Sequence, residues 1–99
     1  MLTGKQKRFL RAKAHHLQPI FQVGKGGVNA NMVKQIQDAL EARELIKVNI
    51  LQNCEDDKET VAEEIVQGTQ AELVQIIGRV IVLYKESTDN KQIDLPVKG

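Results

Sequence analysis

Three glycines in four residues, Gly24-Lys25-Gly26-Gly27, join an apolar run from Pro19 to Val23 to an amphipathic segment beyond. Glycine reaches φ > 0 without steric cost, so the tetrad obliges the chain to turn sharply between a strand and a helix. It also leaves backbone N–H groups uncovered, and with Lys25 beside them a phosphodiester can approach closely. Most Gly-rich tetrads between a strand and a helix are tight turns and nothing more. The flanking sequence bears on which applies here.

Upstream, Thr3 followed by Gln6 fits a capping box for a helix from Gly4 to about His16. At about 100° per residue Leu10, Ala14 and Leu17 share one side with Phe9 on the flank, while Lys5, Lys7, Arg8, Arg11 and His15 fan across the other. That far side is a cationic ridge without a carboxylate. It reads either as a solvated face or as a surface for an anionic partner. Pro19 ends the helix, and Ile20 to Val23 predicts a short strand that delivers the chain to the glycines. Downstream, Asn29 or Asn31 caps a helix to about Arg43 whose Met32, Val33, Ile36, Ala39 and Leu40 share one face. This order aims the positive end of the second helix, the loop N–H groups and Lys25 at one small volume.

Leu45 to Leu51 predicts a strand, with Lys47 and Asn49 alternating against apolar residues. Asn53 to Lys58 is a polar connector, and Glu55, Asp56 and Asp57 suit the start of a third helix. Val61, Ala62, Ile65 and Val66 mark the buried face of that helix, which Gly68 is expected to end. Two strands follow, Val74 to Ile77 and Val80 to Tyr84, separated at Gly78-Arg79 by a tight bend or a bulge. The polar run after Glu86 predicts a loose tail. Ninety-nine residues allow one domain, spanning 1–99. The order α-β-α-β-α-β-β predicts the α+β class, as a two-layer α/β sandwich of helices on a four-stranded mixed sheet.

The net charge of +1 conceals a polarity along the chain. Residues 1–47 hold nine basic side chains against three acidic ones, and residues 48–99 hold five against ten. One part of the surface therefore suits a polyanion and another repels it. Enzymatic chemistry finds little support. The tetrad is not a Walker A loop, because Val28 and Asn29 follow it where Lys-Ser/Thr would be required. His15 and His16 are adjacent and diverge on a helix, and Cys54 has no cysteine or histidine at ligand spacing, so neither a metal site nor a cofactor is expected. Arg79, at its bend, can reach a polyanion or pair with an acidic neighbour. With only Phe9, Phe21 and Tyr84 as aromatics, base stacking on a sheet is disfavoured and recognition of backbone and shape is favoured. No apolar run approaches the roughly 20 residues of a membrane span, nothing near Met1 resembles a signal peptide, and the single cysteine suits a reducing compartment. A cytoplasmic protein with no membrane partner is the expectation.

The basic first helix, Gly24-Lys25-Gly26-Gly27 after a short strand, Glu44-Leu45-Ile46-Lys47-Val48 and Ile77-Gly78-Arg79-Val80-Ile81-Val82-Leu83-Tyr84 occur here in one order. Together they closely resemble the CRM domain, the chloroplast RNA splicing and ribosome maturation module, over about residues 2–96, in its stand-alone bacterial YhbY-type form. The resemblance implies a fold similar to the C-terminal domain of bacterial translation initiation factor three. It implies a non-enzymatic RNA-binding protein associated with precursors of the large ribosomal subunit, with rRNA as partner; no DNA partner is expected, and a monomer is the expectation. Carried over to this sequence, Gly24 and Gly27 frame a GxxG loop with Lys25 and Gly26 between them, which contacts RNA as the similar loop of KH domains clamps backbone nucleotides. Lys5, Lys7, Arg8 and Arg11 match the basic character of the first helix and extend the expected RNA site. The alternative is a protein-interaction adaptor whose basic half docks on an acidic partner.

Overall fold

β4 (Val80–Tyr84) is apolar at every position and pairs with β2 (Leu45–Ile50), which is apolar except at Lys47 and Asn49, so a sheet built on them needs cover on both faces. The computed structural model, which describes residues 1–97, supplies that cover with three helices: α1 (Gly4–Ala14), α2 (Ala30–Arg43) and α3 (Lys58–Thr69). With β1 (Phe21–Val23) and β3 (Glu72–Ile77) they follow the expected order. The mixed sheet runs β1-β2-β4-β3. β1 lies parallel to β2, with Phe21 opposite Val48 and Val23 opposite Ile50, as a crossover through α2 requires. β4 is antiparallel to both β2 and β3 and sits between them.

Alternation along the strands divides the core. Ile46, Val48, Ile50, Ile81 and Leu83 point to one face, where they pack with Ile36 and Leu40 of α2 and Val61, Ala62 and Ile65 of α3. Leu45, Val74, Val82 and Tyr84 point to the other and meet Leu10 and Ala14 of α1. The α+β class and four-stranded mixed sheet are as expected. The layering differs: α1 is the one helix on the second face, joined there by Ile93 and Leu95, so the helices flank the sheet instead of forming one layer on it.

Local chemistry sets the element ends. Thr3 and Gln6 form the capping box, with Gln6 N–H donating to Thr3 Oγ1 at 3.1 Å and Thr3 N–H to Gln6 Oε1 at 3.0 Å. α1 stops at Ala14, two residues short of expectation, because its last turn tightens: His15 N–H donates to Ala12 O and Leu17 N–H to Ala14 O. Asn29, not Asn31, caps α2 by accepting from Met32 N–H at 2.9 Å. Gly68 does not end α3. It lies inside the helix against α2, where a Cβ would come within 2.9 Å of Val33 Cγ1, and the helix ends at Gln70 in the left-handed conformation. β3 starts at Glu72, earlier than expected, and its register irregularity falls between Leu73 and Gln75; Gly78, at φ +59°, makes the tight turn into β4.

The segment after Tyr84 is not loose through Ile93. Its backbone turns onto two carboxylates at the end of α2. Glu44, fully buried with φ +67°, accepts from the N–H groups of Ser87, Gln92 and Ile93 at 2.8, 2.6 and 2.7 Å. Glu41 accepts from Ser87 Oγ–H and from the Thr88 and Asp89 N–H groups. Polar residues in this stretch are partners for one buried and one half-buried carboxylate, which composition alone does not distinguish from a solvated tail.

Candidate nucleic-acid interface

The glycine tetrad lies on a rim where several chain ends meet. Leu51 N–H donates to Val23 O at 2.9 Å and Ile50 N–H to Arg79 O at 2.7 Å. The loop after β1, the connection from β2 to α3 and the β3–β4 turn are therefore neighbours. Gly27 N–H closes the tetrad onto Gly24 O at 3.0 Å, which puts Lys25 and Gly26 at the two central positions of a turn. Gly27 has φ +67°, so the glycine there is required by conformation.

The surroundings of the three glycines differ. A Cβ at Gly24 would touch Asn53 and Leu51, and one at Gly27 would lie 3.1 Å from Asp56 Oδ2. At Gly26 nothing lies within 4 Å of that point. The loop is thus walled on one side by the β2–α3 connection, including a carboxylate, and open at its tip. Asp56 repels an anion on its side, so approach by way of Lys25 and Gly26 is favoured. Asn29 occupies one N–H group of the α2 start, so the helix end contributes less free donor capacity than an uncapped one.

Arg79 donates to Leu51 O at 3.2 Å and shares a surface cavity with Asp56, Asp57 and Glu59. It braces the rim. Asp57 caps α3 by accepting from Thr60 N–H at 2.7 Å, and this hydrogen bond lowers its carboxyl pKa. Cys54 is half-buried with its thiol directed at Asp56 O. Among the described residues no three His, Cys, Asp or Glu side chains gather closely enough for a metal ion.

The α1 cations are spread along the molecule. The helix begins at the opposite end of the sheet from the tetrad, where the Met1 ammonium lies 3.6 Å from Glu72 and Gln6 Nε2 donates to Pro96 O. Lys5 and Arg8 are exposed and Lys7 half-buried. Arg11, also exposed, belongs to the last full turn and lines a groove of about 520 Å³ with His15, His16, Lys47, Gln75, Ile77 and Val82. Among the described residues none of Lys5, Lys7, Arg8, Arg11 or Lys25 forms an ion pair. The structure therefore offers an open loop tip and, separately, a row of unpaired cations ending in a groove. Lys47, Gln75 and Ile77 gain that position only through the pairing of β2, β4 and β3, so helix periodicity could not reveal it.

Residues 2–85, which contain the tetrad, α1 and all four strands, match the CRS1 / YhbY (CRM) domain. The chain is 75% identical over 96 residues to the "Probable RNA-binding protein YqeI" of Bacillus subtilis, covering 97% of this chain and 100% of that protein. It is 40% identical over 97 residues to a Haemophilus influenzae protein named as an RNA-binding protein, covering 98% and 97%. The solution structure of SAV1595 from Staphylococcus aureus superposes with a TM-score of 0.80 at 62% identity, covering 97% of this chain and 100% of that one. With the match spanning every helix and strand, the chain belongs to the CRS1 / YhbY (CRM) domain family.

Proposed function

We propose that this protein binds RNA without catalysis, holding phosphates at the tip of the Gly24–Gly27 loop and along α1. The observation that carries the proposal is the contrast between Gly26, open on its outer side, and Gly27, walled by Asp56, with Lys25 exposed beside the opening. Lys5, Lys7, Arg8 and Arg11 add affinity by displacing counterions and carry little sequence information. Relatives named as RNA-binding proteins support this reading. The finer proposal is that the RNA is rRNA in a precursor of the large ribosomal subunit, and that the protein acts as a cytoplasmic monomer in its assembly; this rests on the family resemblance.

The test is RNA affinity against salt for wild type and Lys25→Glu, with rRNA and a fraction of ribosomal precursors as ligands. Five phosphate contacts predict a log–log slope of roughly −3.5 to −4.5, and the charge reversal is expected to weaken binding roughly tenfold at low salt. A flat salt response sinks the proposal. So does a variant that binds RNA normally but no longer captures an acidic protein from RNase-treated lysate, which would favour the adaptor.

A further inference from the structure

α1 covers only part of its face of the sheet. It packs on Leu45, Val74, Val82 and Tyr84, and beyond its last turn the face toward the β3–β4 turn stays open. The groove of about 520 Å³ lies there, of a volume sufficient for a small organic ligand. Its charged lining is of one sign: Arg11 and Lys47, with the imidazoles of His15 and His16 and no carboxylate. Lys47 donates to Leu17 O at 3.1 Å, which fixes its ammonium over the groove and leaves two further N–H donors. The floor is apolar. Val82 is buried, while Ile77 is 54% exposed with nothing packed over its outer side. The two imidazole rings stand edge to face, centroids 5.3 Å apart, and the Gln75 amide offers both a donor and an acceptor.

A cationic rim over an apolar floor, with flat rings and an amide on the walls, matches one chemistry better than others. A phosphate meets Arg11 and Lys47, and a planar base covers Ile77 against an imidazole, with its edge toward Gln75. Duplex RNA keeps its bases stacked and cannot supply one. We propose that this groove receives an unpaired nucleotide of the bound RNA, so that the protein prefers RNA in which a helix gives way to single strand. The proposal rests on the RNA-binding reading above and adds a second contact with a different requirement. The loop takes phosphates from any RNA, whereas the groove takes only an unstacked base.

The experiment compares a blunt RNA hairpin with the same hairpin carrying an unpaired 3′ extension of six uridines, by fluorescence anisotropy at fixed salt. Two groove variants are used, neither of which adds a charge: Ile77→Ser, and His16→Ala at an exposed position outside any helix or strand. Far-UV circular dichroism and thermal melting verify that each folds. The wild type is expected to bind the extended hairpin about tenfold more tightly than the blunt one. Each groove variant is expected to lose most of that difference with little change on the blunt hairpin, while Lys25→Glu weakens both RNAs alike. Equal affinity of the wild type for the two RNAs overturns the groove proposal, as do variants that keep the tenfold difference. It is also overturned if poly-glutamate displaces the extended RNA from the wild type at concentrations that leave the blunt hairpin bound, since the groove would then be an acidic-peptide site. Groove effects that persist while Lys25→Glu changes nothing reject the loop reading alone.

Discussion

Glu44 combines two costs at one residue: a left-handed backbone at φ +67° and a buried carboxylate. Both are offset by what the side chain holds, the N–H groups of Ser87, Gln92 and Ile93. Burial raises the Glu44 pKa, and these three donors together lower it by more, so the group stays ionised at neutral pH. Replacing it leaves three N–H groups without an acceptor. Glu44→Ala is expected to destabilise the fold by about 2–4 kcal/mol in urea unfolding, with fast amide exchange at residues 87–93. The neighbouring Glu41 is lowered to about 2, first by the Ser87 hydroxyl and then by the Thr88 and Asp89 N–H groups. A depressed carboxyl pKa contributes stability above its unfolded value and loses it as pH falls toward the folded one. Tail protection is therefore expected to decline from about pH 4.5 toward pH 2, visible as pH-dependent amide exchange at residues 87–89. Sequence could not anticipate this. Glu41 and Glu44 read as ordinary charges near a helix end, and their partners lie more than forty residues away. The glycine tetrad was readable from sequence because its constraint is conformational and local.

At the scale of elements, periodicity placed all three helices, since each buries one stripe on one surface. It failed where two elements approach each other. Gly68 looked like a helix terminator because glycine commonly ends helices. Its actual role is to let α3 approach Val33 of α2, which no single-helix pattern encodes. Alanine there would gain helix propensity of about 1 kcal/mol and lose more to overpacking, so Gly68→Ala is expected to destabilise by about 1–2 kcal/mol. Val33→Ala in the same chain removes the clashing methyls. The double variant should be more stable than the sum of the two single changes implies, a coupling that a double-mutant cycle in urea measures directly. The layering of helices about the sheet was missed for a related reason. The continuous apolar run of β4 signals two buried faces, but not which helix covers which.

For the whole molecule, the charge polarity along the sequence survives folding only in part. The α1 cations line one side, yet the basic loop tip stands beside Asp56, and Arg79 shares a cavity with Asp56, Asp57 and Glu59. Local carboxylates thus confine a bound polyanion to particular approaches, a selectivity that net charge does not express. Asp56→Asn removes the negative wall beside Gly27 and is expected to tighten RNA binding by about two- to fivefold at low salt, with the difference vanishing at high salt. Anisotropy titrations at two ionic strengths measure it.

The position of β4 bears on how the protein is born. The last strand to be made occupies the middle of the sheet, between β2 and β3. Until residue 84 has left the ribosome, β2 and β3 have nothing to pair across, and only the parallel β1–β2 pair is available. The chain must therefore wait, unfolded and with its apolar segments exposed, through most of its own synthesis. A nascent chain arrested with residue 69 outside the exit tunnel should be digested by protease at full rate, and one arrested with residue 93 outside should resist.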